Sequence, residues 1–139
     1  MKALQRLSFA WTGGAVGGLV NSVVVWLCGN LGVTAAFKVA IAPAFTAPWL
    51  YQRMFWGGLW GLLLLPAGKG RGGRRIFLVG LAVSLFPTAA QLFYFLPRAG
   101  HQLGGLDQGV LTPVFVVLFN AVWGWVAAWW ALPATRRLR

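Results

Sequence analysis

Long apolar runs alternate with short polar and basic stretches along this chain. Four runs, roughly 8–28, 49–67, 76–96 and 111–132, each reach the length of about 18 residues or more that marks a helix crossing a bilayer. The pattern predicts an all-α polytopic membrane protein, a single domain over 1–139 with four transmembrane helices. The stretch 31–48 is also apolar, but it carries Lys38 centrally and Pro43 beyond it. As a fifth span it would leave only about 14 residues for the next, too few to cross about 30 Å at 1.5 Å per residue. It is therefore expected to be an outer interfacial or re-entrant helix broken near Pro43.

A second pattern is a repeat. Trp56, Gly57, Leu65, Pro66, Ala67 and Lys69 return 67 positions later as Trp123, Gly124, Leu132, Pro133, Ala134 and Arg136. Spans two and four thus share a skeleton, and each is preceded by one other span. Two spans per unit restore the same orientation, so the halves are expected to be parallel pseudo-repeats about an axis along the membrane normal. The competing explanation is that Trp anchors and a Leu-Pro-base ending finish any span. Trp49 and Trp130 suit it, but Trp56 and Trp123 lie mid-span, where interface anchoring does not put them.

Composition and charge place the chain in the membrane. It is 59% hydrophobic and 9% charged, with a mean hydropathy of +0.73, and this combination excludes an ordinary soluble domain. The net charge of +11 would suit nucleic acid, but nine of the twelve bases flank spans at the N-terminus, in the loop 68–75 and at the C-terminus. Only Lys38, Arg53 and Arg98 fall on the other side. This is a positive-inside bias, so both termini and the basic loop are expected in the cytoplasm, in a cell membrane of the bacterial inner-membrane kind. The expected partners are a bilayer with anionic lipids and either further copies of the chain or a larger membrane complex. No nucleic acid is expected. The basic, apolar start resembles a leader but lacks a small-x-small cleavage site, and is expected to be retained as the first span. Cys28 is alone, so it forms no internal disulfide, and no Cys/His cluster suits a metal or a cofactor.

Span three carries the most specific polar pattern. Ser84, Thr88, Gln91, Tyr94 and Arg98 advance by 4, 3, 3 and 4 residues. At 100° per residue they fill an arc of about 120°, nearly one column from mid-membrane to the outer surface. Such a column either lines a hydrated route or glues helices together, with Asn21 and Asn120 as candidate partners for Gln91. Lys38, Arg53, His101 and Asp107 are expected to form an outer vestibule. Asp107, the only acidic residue in the chain, is expected to pair with Arg53 or Arg98, and Arg53 to snorkel outward. Stripes of Gly14, Gly18, Gly57 and Gly61 offer close-packing faces, read as a route to self-association. No Asp, Glu or His lies in a span, which argues against a proton relay, and no nucleophile motif points to an enzyme. The sequence therefore predicts a small channel or uncoupled transporter for a small anionic or polar solute, with span three lining the route. The alternative is a non-catalytic accessory or assembly subunit of a larger membrane complex.

Overall fold

The computed structural model of the protein describes residues 2–67 and 72–136. Residues 68–71 of the basic loop, Arg137 and Arg139 lie outside the described residues. The described residues are mostly helical and contain no strand. The main helices are α1 (Lys2–Asn30), α2 (Ala47–Gly61), α3 (Gly73–Arg98) and α4 (Thr112–Arg136). Three of them, α1, α3 and the Thr112–Pro133 part of α4, are long and apolar enough to cross a membrane.

Helix α2 departs from the expected run. It has 15 α-helical residues, starting behind a Thr46 cap whose hydroxyl accepts from the Trp49 amide at 3.4 Å. At Leu62 it tightens into 3-10 turns over Leu62–Ala67. Pro66 brings no N–H to the helix ladder and weakens regular α-structure there, although α3 and α4 continue through Pro87 and Pro133. The carbonyls left at this end are taken by arginines of the neighbouring helices. Arg6 donates to the Leu65 oxygen at 3.1 Å and Arg75 to the Ala67 oxygen at 2.6 Å. Two of the bases counted in the charge bias thus also terminate a helix.

In space the order is α2, α1, α4, α3: α1 packs on α2 and on α4, and α4 packs on α3. Lipid tails give helices no hydrophobic reason to associate, so close backbone approach has to hold these pairs. A Cβ on Gly14 would run into the Gly57 carbonyl oxygen, and one on Gly61 into the carbonyl oxygen of Ala10. The α3–α4 pair crosses in the same way, with Gly80 against the Gly124 carbonyl and Gly124 against that of Gly80. The glycine stripes read as faces for self-association are therefore used inside the chain, between α1 and α2. Trp123 closes the α1–α4 contact: it is buried, and its indole N–H donates to the Gly14 oxygen at 3.0 Å. Around it pack Leu64, Val83, Ala127, Ala128 and Ala131, while Val25, Val39, Phe115 and Phe119 form a second core nearer the end where α1 finishes and α4 begins.

The stretch 31–48 is not the helix expected. One helical turn, Val33–Ala36, is followed by an extended segment up to Thr46. Pro43 drives the residue before it out of the α region, and β-branched Val39 and Ile41 favour extension, whereas Pro48 lies in the first turn of α2. Lys38 turns the chain with a left-handed φ of 57°. The extended segment is tied down by the Thr34 hydroxyl donating to the Ile41 oxygen at 2.8 Å and by the Ala40 amide donating to the Gln108 oxygen at 2.8 Å. It forms a roof over the end of the bundle where α1 finishes and α4 begins, with Ala42 against Gly29 and Val39 against Gly109.

Helix α3 contains a π-helical stretch at Gln91–Phe95, just after Pro87. A π-turn holds more residues than an α-turn, so the helix face drifts beyond it. That drift decides which residues of the predicted column share a face.

Candidate functional site

Helices α2 and α3 do not pack along their lengths. They approach at Leu62–Ala67 and through the rings of Trp56 and Phe95, whose centroids are 5.3 Å apart. Between them lies a cavity of ≈ 340 Å³, floored by Gly18, Gly57 and Trp123 of the other helices and of α2 itself. A second cavity of ≈ 300 Å³ lies beneath the roof at Ala40–Pro43. The two share Trp49, Arg53, Gln91, Leu96 and Asn120 in their walls. Arg53 thus stands where they meet.

The polar residues of this region form one layer. Counted from the roofed ends of their helices, Asn21, Arg53, Gln91 and Asn120 lie about 9 to 14 Å deep at 1.5 Å per residue. Arg53 does not snorkel outward. Its Nε donates to the Ser22 hydroxyl at 2.9 Å, and that hydroxyl donates to the Gly18 oxygen at 2.6 Å. Asn21, in the amide orientation that satisfies both neighbours, donates to the Phe119 oxygen at 3.2 Å and accepts from Arg53 at 3.2 Å. The guanidinium also lies over the Trp49 ring, 5.0 Å from its centroid. Across the cavity, the Asn120 amide donates to Gln91 Oε1 at 3.4 Å.

The partners of Arg53 are all neutral. The expected pairing of Asp107 with Arg53 or Arg98 does not form. Asp107 instead closes its own loop, its Oδ2 lying 2.8 Å from His101 Nδ1 and its Oδ1 accepting from the Gln102 amide at 2.9 Å. The hydrogen bond with His101 holds the Asp107 carboxyl below its ordinary range. The reason is local: six residues of glycine-rich chain bring His101 and Asp107 together, with Gly104 and Gly105 both at positive φ. A guanidinium has more N–H donors than Ser22 and Asn21 use, and its charge has no carboxylate to answer it. The arrangement can bind an anion or a polar group bearing acceptor oxygens.

The predicted column divides at the π-stretch. Ser84 and Thr88 are buried, and their hydroxyls donate to oxygens of their own helix, Leu81 and Ser84, at 2.7 Å each. Ser84 sits beside the Gly124 crossing, where it serves packing. Gln91 faces the cavities. Tyr94 and Arg98 lie together on the outside, Arg98 donating to the Tyr94 hydroxyl at 3.2 Å. Of the predicted vestibule, only Arg53 lines the two cavities; Lys38 is exposed on its turn, and His101 and Asp107 belong to their loop.

Sequence reasoning missed Ser22, Trp49, Gln52 and Trp56 as members of the site. Spacing carried a signal for the last three. Trp49, Arg53 and Trp56 step by four and three along α2, and Gln52 and Trp56 by four, which puts them on adjoining strips of one helix face. Comparison of the chain with protein-family models, curated proteins and solved structures finds no match.

Proposed function

We propose that this protein is a small integral membrane channel or uncoupled transporter for a small anionic or polar solute, with the solute site at Arg53. One observation carries the reading: a guanidinium set among neutral hydrogen-bond partners, at the junction of two cavities, in a chain whose single carboxylate is engaged elsewhere. An arginine at this depth is costly unless something compensates it, and a passing anion supplies that compensation. Gln91 and Asn120 give α3 and α4 a share in the site, so α3 lines the outer half of the route, while Ser84 and Thr88 hold helices together. The alternative, an accessory subunit of a larger membrane complex, is favoured by the small extramembrane mass but leaves the cavities without a role.

The reading includes four spans, with both termini and the basic loop in the cytoplasm of a multi-pass cell-membrane protein. The fourth crossing is α2 with its 3-10 continuation, whose 15 and 6 residues add up to about 34 Å at 1.5 and 2.0 Å per residue. It also includes a duplicated hairpin. Gly14, Gly18 and Ser22 correspond to Gly80, Ser84 and Thr88, each 66 residues on, and the Trp-Gly pairs of α2 and α4 supply the facing glycine in each hairpin. The hairpins dock through α1 and α4, which are not equivalent members, so the likeness concerns each hairpin's interior. Any homo-oligomer would use outer faces, since the glycine stripes are occupied.

Efflux from chloride-loaded vesicles of zwitterionic lipid containing the protein tests the function. Arg53→Gln should slow protein-dependent efflux at least about tenfold, as expected for loss of a charge-assisted site, with Arg98→Gln near wild type. Equal efflux from wild type, Arg53→Gln and empty vesicles would favour the accessory-subunit reading.

A further inference from the structure

We propose that the anion held at Arg53 is the phosphate of a membrane lipid, which enters sideways through the cleft between α2 and α3. The inference rests on the reading of Arg53 as an anion site and names the ligand class. It starts from where the cavity opens. On the outer side the site is covered by backbone: the roof is bonded to Gln108 through Ala40, and its Ala42 Cα lies so near Gly29 that a Cβ there would come within 2.7 Å of it. On the lateral side α2 and α3 leave a gap along most of their length, bridged at this level by the Trp56–Phe95 ring contact. A ligand arriving from the bilayer has to move one aromatic contact. A ligand as bulky as a lipid arriving from the outer water meets a hydrogen-bonded segment.

The lining is amphipathic in the matching sense. Arg53, Gln91 and Asn120 gather at the inner end and supply donors for phosphate oxygens, while exposed Gln52 stands at the mouth. Trp56, Trp60 and Phe95 line the rest and give an apolar wall to glycerol and chain carbons. Gly18 and Gly57 leave the floor without side chains at the place where the headgroup would lie. A water-borne anion needs no such wall, and an acyl chain alone needs no guanidinium. A lipid phosphate uses both.

Wild-type protein in nanodiscs of phosphatidylcholine with a tenth part of phosphatidic acid should retain phosphatidic acid over phosphatidylcholine at least about tenfold in native mass spectrometry. Arg53→Gln should remove the preference, and Arg98→Gln should keep it. Should Arg53→Gln not fold, Gln52→Glu, an exposed change in the same cavity wall, places a carboxylate beside the guanidinium and should remove the preference too. Millimolar inorganic phosphate should not displace the lipid. Absence of a preference in the wild type, or a preference unchanged in Arg53→Gln or Gln52→Glu, overturns the proposal. Displacement by inorganic phosphate also overturns it, while leaving the small-anion reading standing. If neither phosphatidic acid nor inorganic phosphate binds, and chloride efflux is absent, both readings fall.

Discussion

The indole N–H of Trp123 donates to the backbone oxygen of Gly14 at 3.0 Å, joining α4 to α1 midway along both helices. A mid-span Trp could not be an interface anchor, and here it is buried with its polar edge satisfied by a carbonyl that the absence of side chains at Gly14 and Gly17 exposes. Trp123→Phe removes the donor and part of the ring that fills this contact. It should destabilise the protein by about 1 to 3 kcal/mol, read as a lowered midpoint of unfolding in detergent. Trp56→Phe, at the matching place of the repeat but partly exposed, should cost clearly less. Equal losses would mean that the hydrogen bond and burial of Trp123 contribute little.

The glycine crossings make a sharper claim about assembly. Gly14 and Gly57 meet within one chain, as do Gly80 and Gly124, with no room for a Cβ at any of the four. Gly57→Leu and Gly124→Leu should each prevent native folding or shift its midpoint by more than about 3 kcal/mol, the upper range for overpacking a core. Gly32→Leu is no fair control because its φ is positive. Gly73, at negative φ with open space around its Cα, is suitable, and Gly73→Leu should be close to neutral. A folded Gly57→Leu protein that has lost only its oligomeric state would show that these stripes pack between chains after all.

Topology is the next test, because α2 is the least regular of the four helices proposed to cross. Reporter fusions at Gly72 and after Arg139 should read cytoplasmic, and a fusion at Gly104 external. The motive is the distribution of nine bases against three, together with the capping of the Leu62–Ala67 end by Arg6 and Arg75. An external signal at Gly72 would mean that α2 does not cross.

How much of this was legible in the sequence depends on how far each feature reaches. The runs 8–28, 76–96 and 111–132 fall within α1, α3 and α4 apart from Leu111, since length and apolarity alone define a span. The ending of α2 was partly legible in Pro66, but the capping of its last carbonyls by Arg6 and Arg75 was not, because these come from other helices. The extended roof was hidden by apolar composition, which suits an interfacial helix as well as a strand-like cover; Pro43 was the available signal. The column in α3 was projected at a constant 100° per residue, and the π-stretch at Gln91–Phe95 invalidates that projection for Tyr94 and Arg98. Arg53 was read by its neighbours along the helix as a snorkelling base. Its actual partners, Ser22 and Asn21, lie about 30 residues away and follow only from how α1 and α2 cross.

The last prediction separates a watered route from packing glue along α3. Single cysteines in a Cys28→Ala background, treated from outside with a membrane-impermeant thiol reagent, report where water reaches, because the reacting species is the thiolate and it forms where water solvates it. Arg98→Cys, on the exposed outer end, should react fastest. Gln91→Cys, in the wall of both cavities, should react more slowly but measurably. Ser84→Cys and Thr88→Cys, where the native hydroxyls are buried and bonded within the helix, should stay silent, as should Leu85→Cys on the exposed apolar side. A route continuing through the whole column would instead make Thr88→Cys reactive, and would require the α3–α4 contact to open. Silence at Gln91→Cys with reaction at Arg98→Cys would leave the cavities dry, remove the solute site from Arg53, and return the protein to the accessory-subunit reading.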